Sequence, residues 1–501
     1  MPDATPIRRL ALLSVALLAL RLWSAFVVAQ PGYTDAYYYV DVASRFARGL
    51  GLSADFVWDP IELVGPLPVI SHRFWMPLAT VLQGGGIAAL GGILGDFRAA
   101  QTAILVVAAA VPLVAYAAAR SIGTSERAAL VAAAIVGLGG LFAPAWVSLD
   151  GFAPAALLGT LCFLTFGRAA SGDVRAGAAC GLLVGLLYLT RAEGALFGVA
   201  LLALLVGRSS RHAGVAAVLI AVAIGGLWSL RGFAIGTTGD ILSRSTLLVR
   251  YEDFFAIAKP TLAAYLAAFP GVLGAKASAL VTNTATFLFA FSLVLILPLV
   301  RGAQGLWGRL EVRAWVGLAA LIFGAQSLIW TLHSTRGSYF HSLGAFVPFG
   351  VAIAVAGGER LLATRRPEIV AAWTWGALLI VAVLSAGALV QWDASFNTPA
   401  RARAGALDSI PDGPFLAIDA AAWRWLSGRS VIVTPADGLP AATCVVRNYQ
   451  ARSIVLEEVH FSQYDFLYRG ESRPDWLGAP IVRGTIKIFP VISAIDDVTC
   501  P

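Results

Sequence analysis

Charged residues are scarce in this sequence. Asp, Glu, Lys and Arg make up only 13% of its 501 residues, whereas hydrophobic residues make up 58% and the mean hydropathy is +0.78. A soluble globular domain carries about 25% charged residues, so this composition excludes an ordinary soluble protein. Apolar runs of roughly 18 to 22 residues recur along the chain, the length that crosses a hydrocarbon core of about 30 Å. We therefore predict a polytopic α-helical membrane protein.

Cysteine is scarce as well. The four cysteines are too few for a disulfide scaffold, and the sequence has no CxxC or Cys/His ligand spacing, which argues against a zinc site. Cys162 and Cys180 lie in apolar runs, where cysteine behaves as a small apolar residue. Cys444 and Cys500 lie in a segment predicted to be outside the membrane, and whether they form a disulfide is left open.

A basic stripe is also missing. The net charge of +7 could indicate a nucleic-acid partner, but the arginines form short clusters between alternate apolar runs. Membrane topology explains that distribution better. We expect a lipid bilayer, and no nucleic acid, as a partner.

The arginine clusters set the predicted topology. If the glycine-rich apolar segment 77–94 crossed the membrane, every later arginine cluster would lie outside. We therefore interpret 77–94 as a juxtamembrane or re-entrant helix, which places the N-terminus in the cytoplasm and the C-terminus outside under the positive-inside rule. The eleven predicted spans are 10–29, 99–119, 128–147, 152–168, 176–191, 194–207, 213–231, 281–300, 314–332, 342–358 and 369–390.

Two segments of this membrane part have alternative interpretations. Small residues near the end of 10–29 are compatible with a cleavable signal peptide, but the length of the apolar run favours a retained span. Arg21 within it either snorkels or pairs with a neighbouring helix, or it faces a cavity. The segment 259–279, in the loop before the eighth span, is predicted to be a helix lying on the membrane surface.

The composition changes at residue 392. We predict a transmembrane domain over 1–391, whose first extracytoplasmic loop is 30–98, and a small soluble α/β domain over 392–501. Short β-rich runs separated by Pro, Gly and Asp indicate strands in this second domain, with one helix at 420–426. The predicted strands are 415–419, 430–434, 443–449, 453–459 and 485–491.

The first loop contains the best candidate for a general base. A helix that starts at Thr34 or Asp35 would place Asp35, Tyr38 and Tyr39 on one face, where the rings could stack on a sugar. Asp35 is also the most membrane-proximal acid of the loop. It is either a helix N-cap or a group that deprotonates a hydroxyl.

Other polar residues collect at the predicted outer face. Asp150, between two spans, is either an N-cap or a second acid, and Arg191 with Glu193 is either a buried ion pair or a source of phosphate contacts. Arg336 could bind phosphate or meet lipid headgroups. Carboxylates beside arginine and histidine can bind the phosphate of a lipid carrier and deprotonate a nearby hydroxyl. The substrate- and phosphate-binding candidates are Arg73, His72, Arg191, Glu193, Arg336, His341, Tyr38, Tyr39 and Glu62.

Four stretches in a fixed order carry a resemblance to a known family. They are the acid-led helix Thr34–Tyr39, the Trp-Met-Pro-Leu run at 75–78, the Leu189–Gly194 helix break, and Arg336–His341 before a late span. In this order, with a small soluble domain at the end, they resemble membrane glycosyltransferases of the C-type (GT-C) fold. The closest resemblance is to the family 39 group, which includes protein O-mannosyltransferases and is similar to the lipid A aminoarabinose transferases.

The resemblance implies an enzyme that transfers a sugar from a polyprenyl-phosphate donor to a hydroxyl acceptor on a glycan, lipid or protein, with inversion. It implies that Asp35 is the catalytic base and that Asp150 corresponds to a second-loop acid. Ala36 stands where the protein mannosyltransferases have the second residue of an Asp-Glu pair. The Lys-Pro of the family is also absent, and His72 and Arg73 occupy its region.

No cofactor is required in principle, because arginines can neutralise one leaving phosphate, although the surplus of acids leaves a divalent metal open. The main alternative is a transporter or flippase for a lipid-linked substrate. The absence of an internal repeat argues against it. A second alternative is an assembly subunit, for which Asp35→Asn would leave function intact.

Overall fold

The computed structural model describes residues 5–63, 65–236, 238–493 and 495, and helices dominate it. The membrane part contains α1 Thr5–Val27, α2 Thr34–Ala47, α3 Leu78–Ser121, α4 Glu126–Leu138, α5 Phe152–Ala170, α6 Val174–Thr190, α7 Gly198–Val206, α8 Arg211–Ala234, α9 Thr238–Thr246, α10 Leu262–Ala267, α11 Phe269–Ala290, α12 Ile296–Gly305, α13 Leu310–Leu328, α14 Thr331–His333, α15 Tyr339–Leu343, α16 Val347–Leu362 and α17 Pro367–Trp392. The C-terminal part adds α18 Thr398–Ala404, α19 Ala420–Ser427, α20 Leu439–Tyr449 and α21 Asp465–Arg469.

The helix lengths confirm a polytopic membrane protein. Within the described residues, six helices are long and apolar enough to span a bilayer, and two bent helix pairs raise the number to eight. The bent pairs are Glu126–Val147 and Leu310–Leu343. Three other predicted spans correspond to the shorter helices α6, α7 and α16.

The predicted separation of 77–94 from 99–119 appears as a sharp turn inside α3. Gly95 has φ 72° and ψ 160°, which interrupts the helix. A Cβ on Gly86 would lie 2.6 Å from the Ala99 carbonyl oxygen, so the two halves pack against each other. A straight helix of 44 residues would be about 66 Å long, twice the hydrocarbon thickness, so the turn lets α3 fit the bilayer.

The predicted segment 259–279 differs from the structure. It is not one surface helix, because α11 is a span candidate from Phe269 to Ala290, which begins twelve residues before the predicted start. Lys276 lies inside this helix, and its ammonium donates to the Leu328 carbonyl of α13. The helix ends at Ala290, and Ser292 and Leu293 just beyond it both have positive φ.

Arg21 supports the break in the third predicted span, 128–147. Helix α4 stops at Gly139, which has φ 93°, and this break leaves carbonyls of the last turn without helical partners. The buried Arg21 guanidinium donates to the Val136 carbonyl at 3.0 Å, and the Ser385 hydroxyl donates to the Leu138 carbonyl at 3.0 Å. Arg21 therefore pairs with a neighbouring helix.

A mixed sheet forms the core of the C-terminal part, and it includes one strand from the first loop. The strands are β1 Ser53–Ala54, β2 Phe56–Val57, β3 Val69–Ile70, β4 Phe415–Ala417, β5 Val431–Val433, β6 Ser453–Leu456, β7 Ile481–Arg483 and β8 Ile486–Pro490. The strand order is β2-β5-β4-β6-β8-β7, with a separate β1–β3 pair. Phe56 and Val57 of the first loop pair in parallel with Val431 and Ile432, at the sheet edge. The predicted strands near 415, 430, 453 and 485 are present, whereas β7 was missed.

The predicted strand 443–449 is wrong, because this segment belongs to α20. Its β-branched residues favour a strand, but the buried Ala441, Ala442, Val445 and Val446 follow a helical spacing. A proline in the first turn fits a helix start. The proposed Cys444–Cys500 bond involves a residue outside the described part of the chain, whereas Cys162 and Cys180 are free and buried.

Candidate active site

Helix α2 places Asp35 beside Asp150 and His341, with ligand atoms of the three residues within 4.8 Å of one another. The N-cap of α2 is Tyr33, so Asp35 lies inside the first turn and is not the cap. Its side chain is partly exposed and makes no side-chain hydrogen bond to any residue that the structure describes. Removal from bulk water raises the pKa of the Asp35 carboxyl to about 6, and the nearby Asp150 carboxylate adds to this rise. Asp35 is thus a reachable carboxyl with unused acceptor capacity.

Asp150 is fixed in place from several sides. It is fully buried, and its Oδ2 accepts hydrogen bonds from the Tyr33 hydroxyl at 2.7 Å and from His341 Nε2 at 2.9 Å. Oδ1 accepts from the Gly151 backbone N–H. Burial by itself would raise the pKa of Asp150, but the charge and hydrogen bond of His341, followed by Arg191, lower it. Asp150 is therefore an ionised anchor, not an N-cap of α5.

His341 is held by two polar contacts and one ring contact. Its Nδ1 lies 2.9 Å from the Gly337 carbonyl oxygen, and its Nε2 lies 2.9 Å from Asp150 Oδ2. The ring also stacks on Phe152 with centroids 4.2 Å apart. These contacts fix the imidazole beside Asp150.

Arg191 and Glu193 form an ion pair at the break between α6 and α7. Arg191 Nη2 lies 3.0 Å from Glu193 Oε1, and both side chains are about 15% exposed or less. The same carboxylate oxygen accepts from the Ser338 hydroxyl at 2.8 Å and from Gln326 Nε2 at 3.0 Å. This network ties α6, α13 and the 334–338 segment to the base of the site.

Three of these groups have the spacing of a metal site. Ligand atoms of Asp35, Asp150 and His341 lie within 4.8 Å of one another, and two carboxylates with an imidazole suit a divalent cation. His341 Nε2 and Asp150 Oδ2 already form a hydrogen bond at 2.9 Å, so a cation there would have to replace that hydrogen bond.

A small pocket lies beside the charged group. Arg191, Glu193 and His341 are among the residues that line it. Leu187 and Phe197 are among its apolar walls. Charged and apolar side chains therefore meet at this position.

Two of the remaining predicted site residues, Tyr39 and Arg336, lie near the site. The Tyr39 hydroxyl is close enough to Asp150 and Asp35 to interact with their charges. Tyr38, Glu62, His72 and Arg73 lie elsewhere. The Tyr38 hydroxyl donates to Glu62 at 3.3 Å and accepts from the His72 backbone N–H at 2.5 Å, in a separate buried cluster. Arg73 donates to the Ile235 carbonyl at 3.2 Å.

Arg336 is exposed at the mouth of the site. Its guanidinium lies 5.1 Å from the centre of the Tyr251 ring. The Tyr251 hydroxyl is in turn close enough to Asp35 to interact with its charge. No hydrogen bond of Arg336 occurs within the described ranges. Arg336 is thus an exposed cation beside Tyr251 with no hydrogen bond or ion pair to any residue that the structure describes.

Sequence reasoning missed three residues of the site. Tyr33 binds Asp150, and Ser338 and Gln326 bind Glu193. Gln326 carried a usable signal, because a polar side chain within the apolar segment 314–332 is costly in a membrane unless it is paired. Tyr33 had no comparable signal.

No family model and no curated protein sequence matches this chain. Solved structures do match it. The apo aminoarabinose transferase ArnT from Cupriavidus metallidurans superposes with a TM-score of 0.60 at 13% identity, covering 95% of this chain and 97% of ArnT. The same protein bound to undecaprenyl phosphate gives a TM-score of 0.56 at 14% identity, over 96% and 98% of the chains.

Two further structures agree with this match. The apo oligosaccharyltransferase from Archaeoglobus fulgidus gives a TM-score of 0.52 at 13% identity, covering 91% of this chain and 70% of its own. The mycobacterial arabinofuranosyltransferase AftD gives 0.52 at 16% identity, covering 98% and 40%. The chain has the GT-C fold. In this GT-C chain the Asp35 group lies at the start of the first-loop helix, where the sequence resemblance placed the acid.

Proposed function

We propose that this GT-C protein is an inverting glycosyltransferase that moves a sugar from a polyprenyl-phosphate carrier to a hydroxyl acceptor. The observation that carries the proposal is Asp35, a reachable carboxyl with a raised pKa beside a fixed, charged group of Asp150, His341 and Arg191. A carboxyl with these properties suits a general base better than a structural residue.

In the proposed reaction, Asp35 takes the proton of the acceptor hydroxyl. The acceptor oxygen forms a bond to the anomeric carbon as the bond from that carbon to the phosphate oxygen breaks on the opposite face. The sugar is thereby inverted, and polyprenyl phosphate leaves with the bonding electrons. Asp150 and His341 hold Tyr33 and the start of α2 in place.

Arg336 is our candidate for binding the donor phosphate. Arg191 is already paired with Glu193, whereas Arg336 is exposed and makes no ion pair with any described residue. A guanidinium can donate two parallel hydrogen bonds to a phosphate and so stabilise the leaving charge.

We propose that the N-terminus is cytoplasmic and that the C-terminal domain is outside. The positive-inside distribution of arginines supports this orientation. The Arg309 guanidinium donates to the Ser121 carbonyl at 3.1 Å, so two of the predicted inside loops meet at one end of the bundle. We also propose that transfer requires no metal, because arginines can neutralise a single leaving phosphate; activity retained in EDTA would support this.

The test is sugar transfer by purified protein in nanodiscs, with a panel of polyprenyl-phosphate sugars and membrane extract as acceptor. Asp35→Asn should lower the rate at least a hundredfold while donor binding is kept, since a general base contributes about 10²–10⁴. Asp240→Asn is the matched control, because Asp240 pairs with Lys259 in a different loop. Equal rates for wild type and Asp35→Asn would refute the assignment, and saturable binding without any turnover would favour a transporter.

A further inference from the structure

The C-terminal domain contacts the Asp35 helix at two points on one face. The Thr34 hydroxyl donates to Asp419 Oδ1 at 3.0 Å, and Arg424 Nε lies 3.4 Å from Asp41 Oδ1. Thr34 and Asp41 are seven residues apart, which is two helical turns or about 10 Å. The domain therefore supports α2 along its length.

The first contact belongs to a connected group of charges. Arg403 Nη1 lies 3.0 Å from Asp419 Oδ2, and Arg403 Nε donates to both oxygens of Glu457, at 3.1 and 3.0 Å. The Trp423 indole N–H donates to Glu457 at 2.8 Å. The side chains of Arg403, Asp419 and Glu457 are only 11–16% exposed. The acceptor of the Thr34 hydrogen bond is thus held rigidly by its own domain.

Both residues before Asp35 are tied down, in different directions. Tyr33 donates to Asp150 in the membrane part, whereas Thr34 donates to Asp419 in the C-terminal domain. The N-cap residue provides no side-chain hydrogen bond to the first turn of α2, so these two links hold the start of the helix. Ala36 to Ser44 are all buried, which leaves α2 little room to adjust.

We propose that the Arg403–Asp419–Glu457 network of the C-terminal domain acts through Thr34 to position the Asp35 carboxyl for transfer. The inference rests on the proposed function of Asp35. It makes Thr34 and Asp419 positioning residues, and it gives the C-terminal domain a part in the chemical step without contact to the substrate. A misplacement of about 1 Å at a reacting group can lower a rate by as much as a hundredfold, so a single lost hydrogen bond at this position is measurable.

The test measures transfer kinetics of the full-length protein in nanodiscs. Thr34→Val keeps the size of the side chain and removes the donor, and we expect kcat to fall about tenfold while the donor KM changes less than about twofold. Thr34→Ser restores a hydroxyl and should return kcat to within about threefold of wild type. Thr443→Val is the matched control, because the Thr443 hydroxyl donates only within its own helix, to Leu439, and it should leave kcat unchanged.

The outcomes separate this inference from the proposed function. Wild-type turnover together with an unchanged kcat in Thr34→Val would overturn the positioning role alone, and so would a fall that Thr34→Ser fails to restore. A wild-type protein that transfers no sugar would overturn the proposed function and the positioning role with it. If Thr34→Val does not fold, as judged by binding of undecaprenyl phosphate, Thr34→Ala replaces it, with the same expectations.

Discussion

Two clusters in the structure each contain an acid, a histidine and a tyrosine, and each includes residues of the first loop. The surroundings of the two clusters differ. In the first, Asp35 and Asp150 lie beside His341 and Arg191, so cationic groups face the carboxylates. In the second, Glu62 accepts from Tyr38 near His72, inside a set of aromatic rings that includes the Trp58–Trp75 stack with centroids 3.8 Å apart. No ion pair to Glu62 occurs in the part of the chain that the structure describes.

The difference determines which cluster can perform chemistry. Burial raises the pKa of Glu62 to about 8, and the Asp59 charge adds to this, so Glu62 is largely neutral at pH 7. Burial likewise lowers the pKa of His72 to about 3, which leaves it neutral too. An uncharged, enclosed cluster holds a loop together, whereas a charged and partly exposed cluster can bind a phosphate and take up a proton.

Removing a charge from the first cluster should have the largest effect. Asp150→Asn removes a fully buried carboxylate that is held by Tyr33, His341 and the Gly151 backbone, and breaking a buried charged pair costs about 3 kcal/mol or more. We expect transfer to fall by at least a hundredfold and the melting temperature to drop, measured by the nanodisc assay and by thermal unfolding. Asp35→Asn is the informative comparison, because it should lose activity with little loss of stability. Wild-type activity in Asp150→Asn would show that the buried carboxylate is not needed.

A smaller effect is expected at the mouth of the site. Arg336→Gln removes a cation that we propose to bind the donor phosphate, and a charge-assisted hydrogen bond contributes about 1.5–3 kcal/mol. The donor KM should rise by about tenfold, the equivalent of 1.4 kcal/mol. Arg250→Gln serves as the control, because Arg250 is also an exposed arginine but pairs with Asp253 at 2.9 Å. Equal KM values for the two variants would assign the phosphate to another residue.

Sequence reasoning placed most of the first cluster together and misplaced the second. The topology assigned Asp35, Asp150, Arg191 and His341 to one face of the membrane, and the structure brings them within one site. The topology assigned Glu62 to that same face, because it is an acid in the same loop as Asp35. The two clusters differ in the side-chain packing around Trp58 and Trp75, and this packing cannot be predicted from the local sequence of the loop.

The boundaries show the same limit. A run of apolar residues predicts a span well, but α11 begins twelve residues before the predicted start, and its Lys276 is paired with the Leu328 carbonyl of another helix, which the local sequence does not show. Similarly, the segment at 443–449 has β-branched residues typical of a strand, whereas the spacing of its buried residues and the proline in its first turn favour α20. The pairing of Phe56 with Val431 joins segments 375 residues apart, and no local pattern predicts it.

The smallest predicted effect concerns stability in the second cluster, and it reverses the usual behaviour of an acid. The pKa of Glu62 is raised in the folded protein, from 4.5 to about 8, so the folded state holds a proton that the unfolded chain releases. Its contribution to stability is complete below about pH 4.5 and is lost as the pH rises towards 8. Wild type should therefore melt at a lower temperature at pH 8 than at pH 5. Glu62→Gln, which is neutral throughout, should remove much of that difference and keep transfer close to wild type. Identical pH dependence in the two proteins would mean that Glu62 is ionised within the fold, and that the two clusters are more alike than their surroundings indicate.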